Sequence, residues 1–153
     1  MPQISAGLLL YNKIDNKIKV FLVHPGGPFF VKRDEGHWGI SKGLVDEGED
    51  LLAAAKREFF EECGVKPDGE FIPLGTIQQK NNKIVHCWGV ETDYKDNSFF
   101  NCTSFVRMEL PAKSGKYISF PEVDKGEFFD LETAKKKILP AQLQLLERLK
   151  EHI

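Results

Sequence analysis

The stretch from Gly43 to Val65 reads GLVDEGEDLLAAAKREFFEECGV and contains both a strong helix pattern and a dense group of carboxylates. Asp50 can accept hydrogen bonds at a helix N-terminus, and the run from Leu51 to Ala55 consists of strong helix formers. Gly64 stands where a left-handed residue commonly ends a helix. The stretch therefore predicts a helix that begins after Asp50 and ends at Gly64.

This predicted helix has an apolar face with carboxylates beside it. At about 100° per residue, one face collects Leu52, Ala55, Phe59 and Cys63. Glu58 and Glu62 project at the edge of that face, and Glu61 lies one step further round. Because the apolar face should pack on a core, we expect the carboxylates to converge where the helix meets the rest of the protein.

The charges of this helix are unfavourable without a partner. Glu58 and Glu62 form a like-charged pair four residues apart, which costs about 0.2–0.5 kcal/mol. With Glu61 they lie near the C-terminal end, where the helix dipole disfavours anions. A divalent cation would reverse both penalties, and oxygen ligands suit Mg²⁺ and Mn²⁺. The alternative is a solvated acidic face on which Lys56 and Arg57 act as surface partners.

The spacing of the charged and glycine positions distinguishes these interpretations. Seven such positions stand at fixed intervals: Gly43, Glu49, Arg57, Glu58, Glu61, Glu62 and Gly64. Five residues follow the first glycine, seven follow the first glutamate, and apolar residues follow Glu58 and Gly64. This arrangement resembles, position by position, the signature of the Nudix hydrolases, and it favours the cation site.

The resemblance extends over nearly the whole chain. Ala6-Gly7, the lead-in from Trp38 to Gly43, and Glu127-Phe128-Phe129 all resemble small bacterial Nudix proteins. Ser41 departs from the pattern, because many relatives that act on nucleotides or dinucleoside polyphosphates have proline there. The resemblance implies an α/β fold in which a mixed β-sheet is sandwiched between α-helices, with the signature as a loop, a helix and a second loop.

The resemblance also implies a reaction. Nudix hydrolases cleave a pyrophosphate bond in a nucleoside diphosphate linked to another moiety, with Mg²⁺ or Mn²⁺ as cofactor. On this basis Glu61 and Glu62 are metal ligands, and Glu58 is either a further ligand or the group that orients the attacking water. Arg57 belongs to the same catalytic group and pairs with Glu49. The backbone carbonyl of Lys42 resembles a further metal-ligand position.

Residues outside the signature complete the predicted site. Glu91, at the end of a predicted strand, matches the position of an additional ligand or base in some relatives, and Glu122 is the alternative. Lys32, Arg33 and Lys42 are candidates for phosphate contacts. Four aromatic residues could stack a base or belong to the core: Phe29, Phe30, Trp38 and Trp88. Three histidines without metal-ligand spacing are interpreted as structural: His24, His37 and His86.

Composition limits the class of protein. A chain of 153 residues is long enough for one domain, expected to span residues 1–153. A net charge of -2 gives no reason to expect bulk nucleic-acid binding. No apolar run approaches the length needed to span a bilayer, and the N-terminus lacks the pattern of a signal peptide. Three cysteines form no paired framework, so we expect a cytoplasmic protein without a membrane segment.

The order of elements agrees with an α/β domain. Strands are predicted at 5–11, 17–24, 71–79, 83–92, 103–110 and 127–131, with turns at Asp15-Asn16 and Asn81-Asn82. Residues 114–121 are predicted as loop. Helices are predicted at 132–138 and from about Pro140 to Lys150, in addition to the signature helix.

Two functions remain open at this point. The first is an active pyrophosphohydrolase of nucleoside triphosphates or dinucleoside polyphosphates. The second is a catalytically silent Nudix domain that binds a nucleotide or a nucleotide-sugar as a sensor. The intact carboxylates Glu58, Glu61 and Glu62 favour the enzyme, because a binding module does not need a strained acidic cluster. Many relatives dimerise, so a homodimer is also an open arrangement.

Overall fold

The computed structural model describes residues 2–153 and shows eight strands and three α-helices in them. The strands are β1 Gln3–Ile14, β2 Lys17–Pro25, β3 Ser41–Leu44, β4 Phe71–Gln79, β5 Lys83–Glu91, β6 Phe105–Glu109, β7 Tyr117–Pro121 and β8 Val123–Asp130. The helices are α1 Leu51–Cys63, α2 Leu131–Lys137 and α3 Leu143–His152, and short 3₁₀ turns cover Asn97–Phe99 and Pro140–Gln142.

Six of the strands form one mixed sheet in the order β4-β5-β1-β2-β8, with β3 also paired to β1. Strand β1 runs parallel to β5 over its first nine residues. Its other edge is divided, because β3 pairs with Ser5 to Leu8 and β2 pairs with Tyr11 to Ile14. This division brings the start of the signature loop to the middle of the sheet.

The sheet is covered by helices on both faces. Along β1, Leu8 and Leu10 pack in the cluster that contains α1, whereas Leu9 packs in the cluster that contains α2 and α3. Successive side chains of a strand point to opposite faces, so a strand buried on both faces reads as a continuous apolar run. The predicted α/β class with a mixed sheet between helices is confirmed.

Two predicted hairpin turns are present, and both have left-handed backbone at their centres. Asp15 and Asn16 have φ of 54° and 62°, and Asn81 and Asn82 have φ of 63° and 59°. Asparagine and aspartate tolerate this conformation better than other non-glycine residues, which is why they mark the turns in the sequence.

The prediction of a loop at 114–121 is wrong for residues 117–121. Tyr117–Pro121 forms β7 and pairs with β6 in a separate two-stranded sheet. Its residues are exposed or only half-buried, so no strong apolar alternation marks them. Strand β8 also begins four residues earlier than predicted, at Val123 rather than Glu127. No helix in residues 2–153 has both the length and the apolar character that a bilayer crossing requires.

Candidate active site

Helix α1 begins and ends at the residues that the sequence predicts. The Asp50 carboxylate accepts a hydrogen bond from the Ala53 amide at 3.0 Å, and Gly64 adopts φ of 88° with its amide bonded to the Phe60 carbonyl. The apolar face packs on the sheet, and two carboxylates are buried with it: Glu58 is 8% exposed and Glu62 is 4% exposed. Burial of these two charges requires compensation from the surrounding structure.

Glycine at position 43 leaves room for the carboxylate of Glu58. A Cβ atom on Gly43 would lie 2.0 Å from Cδ of Glu58. Gly7 plays a matching part on β1, because a Cβ there would lie 2.6 Å from the Ser41 carbonyl oxygen. The two glycines allow β3 to fit between β1 and the signature helix.

Arg57 ties the signature loop to the helix. Its guanidinium forms two hydrogen bonds with Glu49, at 2.8 and 2.9 Å, and donates to the Leu44 carbonyl at 3.0 Å. It also donates to Glu58 at 2.9 Å and approaches Glu61 at 3.3 Å. The predicted pair with Glu49 is therefore present, and Arg57 lowers the pKa of Glu49 to about 2.

Three carboxylates from two distant parts of the chain form a cluster. Glu58, Glu62 and Glu122 each offer an oxygen, and these oxygens lie within 4.8 Å of one another. Glu122 follows β7 directly and precedes β8. Burial and the neighbouring Glu122 carboxyl raise the pKa of Glu62 to about 9, although the Ser41 hydroxyl opposes this shift. Burial also raises the pKa of Glu58, against the effect of Arg57.

The cluster fits a divalent cation on structural grounds. Its donors are all carboxylate oxygens, the ligands preferred by Mg²⁺ and Mn²⁺. Burial and the neighbouring carboxylates raise the pKa values of Glu58 and Glu62, and Arg57 forms an ion pair with Glu58 at 2.9 Å. The residues that would hold the cation are Glu58, Glu62 and Glu122.

Two cavities meet at this cluster. The first has a volume of about 350 Å³ and is lined by the carboxylates Glu58, Glu61 and Glu122, by Lys42 and Lys83, and by Gln3, Ser5, Gly43 and Leu44. The second has a volume of about 190 Å³ and has a mainly apolar wall: Val23, Pro25, Gly39, Ile40, Val123 and Leu139. His37, Glu62 and Gln142 complete it, and Lys42 and Glu122 line both cavities.

Two lysines bring positive charge to the polar cavity. Lys42 lies on β3, and burial lowers its pKa while Glu62 and other nearby carboxylates oppose this change. Lys83 begins β5, and its register with Gln3 on β1 places it beside the site. The sequence predicts Lys83 as the first residue of a strand after a turn and gives it no part in the site. Its proximity to Lys42 comes from the pairing of both β3 and β5 with β1, which no local pattern encodes.

Glu61 lies at the border of the site. Its side chain is 42% exposed and lines the polar cavity, but it is not among the three clustered carboxylates. Its backbone carbonyl accepts hydrogen bonds from the amide and hydroxyl of Thr103. Its predicted part as a metal ligand stays a prediction.

The structure does not bring Glu91 to the cluster. Glu91 is at the far end of β5 from Lys83, eight residues or about 26 Å along an extended strand. It lines a separate depression with Lys66, Asp68 and Asp93. Glu122, the alternative from the sequence, occupies the position predicted for Glu91. A carboxylate at the end of a strand can lie at either end of the sheet along the strand direction. The sequence does not show which of these two ends contains the site.

Lys32 and Arg33 line a separate surface depression with Phe29 and do not line either cavity at the carboxylate cluster. The Arg33 backbone has a structural contact, because its carbonyl accepts a hydrogen bond from buried His24 at 2.6 Å. Their proposed phosphate contacts gain no geometric support.

The aromatic candidates divide into two groups. Trp38 is buried against His24 and Phe129, and Trp88 packs on the cluster that contains α1, so both belong to the core. Phe29 and Phe30 are exposed. Phe30 lies 6.5 Å from the His37 ring, which itself lines the apolar cavity.

Comparison with known proteins agrees with this geometry. The family model described as NUDIX domain matches residues 1–149. Nudix hydrolase 7 of Arabidopsis thaliana is 30% identical over 99 residues, which cover 65% of this chain and 30% of that protein. The asymmetrical bis(5'-nucleosyl)-tetraphosphatase of Caenorhabditis elegans is 39% identical over 61 residues, 40% of each chain. The matches thus span less than half the length of these relatives.

Solved structures share the fold. The NUDIX domain of Shewanella oneidensis NrtR, solved with ADP ribose, has a TM-score of 0.71 at 19% identity, covering 99% of this chain and 88% of that one. A C. elegans Ap4A hydrolase binary complex has a TM-score of 0.65 at 23% identity, covering 97% and 96%. Because the family model matches almost the whole length of this chain, the chain belongs to the Nudix family.

Proposed function

We propose that this chain hydrolyses a pyrophosphate bond in a nucleoside diphosphate linked to another moiety, and that it requires Mg²⁺ or Mn²⁺. The observation that carries this proposal is the meeting of Glu58, Glu62 and Glu122 where two cavities join, both of them lined by Lys42. A purely structural acidic cluster would gain nothing from burial, because each buried carboxylate loses hydration.

Each group at the site has a definable task. When bound, the cation neutralises the anionic bridge and the charge that develops on it. A water oxygen attacks one phosphorus of the bridge, the bond from that phosphorus to the bridging oxygen breaks, and a carboxylate of the cluster takes the water proton. Arg57 holds Glu58 in place, and Lys42 supplies positive charge to the phosphates. Glu61, at the rim of the same cavity, is proposed as a further metal ligand.

The polar cavity supports a substrate with several phosphates. Lys42 and Lys83 line it together, and two ammonium groups suit a longer anionic chain than a single diphosphate. The apolar cavity on the other side of Lys42 would receive an uncharged part of the substrate. We therefore favour nucleoside triphosphates and dinucleoside polyphosphates, in agreement with the activity named for the C. elegans tetraphosphatase.

A silent nucleotide sensor is the second candidate. The NrtR domain, solved with ADP ribose, is similar in fold, and NrtR has also been solved with a 27mer DNA. This similarity favours binding of a nucleotide-type ligand without bearing on turnover.

A substrate panel separates the two candidates. Purified protein is incubated in ¹⁸O-labelled water with Mg²⁺ or Mn²⁺ and with nucleoside triphosphates, dinucleoside polyphosphates or ADP-ribose, and products are identified by mass spectrometry. We expect cation-dependent products carrying ¹⁸O on the attacked phosphate. Glu122→Gln should lose activity, whereas Glu151→Gln, at an exposed position of α3, should not. Nucleotide binding without turnover of any panel member would establish the sensor.

A further inference from the structure

Each clustered carboxylate receives a hydrogen bond from a side chain in the surrounding structure. Arg57 donates to Glu58 at 2.9 Å, and the Ser41 hydroxyl donates to Glu62 at 2.7 Å. The Ser104 hydroxyl donates to Glu122 at 2.8 Å. The first two donors lie in or next to the signature, but Ser104 lies in the connection between β5 and β6.

Ser104 holds Glu122 at two points. In addition to the hydroxyl contact with the side chain, the backbone carbonyl of Ser104 accepts the Glu122 amide at 2.9 Å. The Glu122 carbonyl in turn accepts the Gly26 amide at 3.0 Å. Backbone and side chain of Glu122 are therefore both restrained, and the side-chain restraint comes from Ser104.

The segment that carries Ser104 is fastened to the end of helix α1. The Asn101 amide donates to the Cys63 carbonyl at 2.9 Å. The amide and hydroxyl of Thr103 both donate to the Glu61 carbonyl, at 2.9 and 3.0 Å. These bonds satisfy carbonyls that a helix end leaves without internal partners. As a result, residues 101–104 connect the helix that bears Glu58 and Glu62 to the third carboxylate.

We propose that Ser104 is a positioning residue for the cation site, acting through Glu122. This inference rests on the proposed function. One hydroxyl proton can bond only one carboxylate oxygen at a time, so the other oxygen stays available to the cation. Partners that orient a metal ligand in this way typically contribute about 10–100-fold in metal affinity or activity.

The test compares side chains at position 104 that have the hydroxyl with side chains that lack it. Ser104→Thr keeps the hydroxyl, Ser104→Val has nearly the same shape as threonine without it, and Ser104→Ala removes it with the least added volume. Ser119→Ala, at an exposed position of β7, is the control for a serine lost elsewhere. Mn²⁺ binding is measured directly by the loss of the free-ion electron paramagnetic resonance signal, and thermal unfolding is followed by circular dichroism.

We expect Ser104→Ala and Ser104→Val to raise the Kd for Mn²⁺ about tenfold or more. Ser104→Thr and Ser119→Ala should bind Mn²⁺ as the unchanged chain does. At saturating Mn²⁺, KM for the nucleotide should not differ among folded variants. A lower Tm with an unchanged Mn²⁺ Kd in Ser104→Ala and Ser104→Val would show that Ser104 is only structural, and would overturn the inference.

The control Glu122→Gln distinguishes this failure from failure of the proposed function. If the unchanged chain binds Mn²⁺ and Glu122→Gln weakens binding while Ser104→Val does not, the cation site stands and the part assigned to Ser104 is wrong. If the unchanged chain neither binds Mn²⁺ nor hydrolyses any nucleotide, the proposed function fails and this inference fails with it.

Discussion

Helix α1 and the connection from β7 to β8 contribute to the same cluster in different ways. Helix α1 supplies Glu58 and Glu62 from one turn, so their separation follows from helix geometry alone. Glu122 comes from a short link between two strands and reaches the cluster through contacts with Ser104 and Gly26. Helix geometry therefore provides part of this site, whereas tertiary contacts provide the rest.

The largest expected effect comes from removing a carboxylate from either region. Glu62→Gln and Glu122→Gln should each lower kcat/KM about 10²- to 10⁴-fold, because each removes charge from a cation that supplies several kcal/mol of transition-state stabilisation. The measurement is steady-state hydrolysis with Mg²⁺, and Glu151→Gln is the matched control. Full activity in Glu122→Gln would show that the helix alone forms the working site.

A smaller effect is expected from Gly43→Ala, which tests the junction between loop and helix. The added Cβ would lie 2.0 Å from Cδ of Glu58, so the carboxylate or β3 must move. We expect a loss of stability of about 1–3 kcal/mol, measured by urea unfolding, together with weaker Mn²⁺ binding. Gly115→Ala, where no atom lies within 4 Å, is the comparison, although its φ of 77° adds about 1–2 kcal/mol of backbone strain. Unchanged Mn²⁺ binding in Gly43→Ala would contradict the proposed position of Glu58.

Substrate contacts provide the next test. Lys83→Gln should raise KM for a nucleoside triphosphate about tenfold, because it removes a charge-assisted contact from the polar cavity. Lys80→Gln, an exposed position in the same turn, should leave KM unchanged. Equal KM values for the two variants would show that Lys83 does not contact the substrate.

The smallest effect should come from Thr103→Val, which breaks one bond of the segment that joins the two regions. The hydroxyl of Thr103 donates to the Glu61 carbonyl, and its loss should lower the free energy of unfolding by about 1 kcal/mol. The Thr103 amide still holds the same carbonyl, so kcat should change little. Calorimetry and steady-state kinetics on one preparation check both. A large fall in kcat without loss of stability would mean that Thr103 acts on the chemistry.

Several features of the signature helix and of the site were predicted correctly from the sequence. The caps Asp50 and Gly64, the Arg57–Glu49 pair and the buried edge of the helix are all as predicted, because each depends on neighbours within a few turns. Ser41 entered as a departure from the family pattern, and the structure makes it the hydrogen-bond donor to Glu62. Its hydroxyl was visible in the sequence, but its partner lies 21 residues away.

Two differences between the predictions and the structure share one physical origin. Choosing between Glu91 and Glu122 required knowing which end of β5 faces the signature, and that depends on strand pairing. The sequence did not predict β7, because β7 pairs with β6 outside the main sheet and its side chains are exposed or only half-buried.

Consecutive residues were sufficient to identify the family, the helix and the spacing of Glu58 and Glu62, because local periodicity and capping chemistry depend on near neighbours in the chain. Long-range contacts were needed to bring Glu122 to the other two carboxylates and Lys83 beside Lys42. They also bring the hydroxyls of Ser41 and Ser104 to the cluster. Those positions result from the pairing of β1 with both β3 and β5 and from residues 101–104 bound to the end of α1. Such contacts join segments distant in sequence, so no local pattern records them.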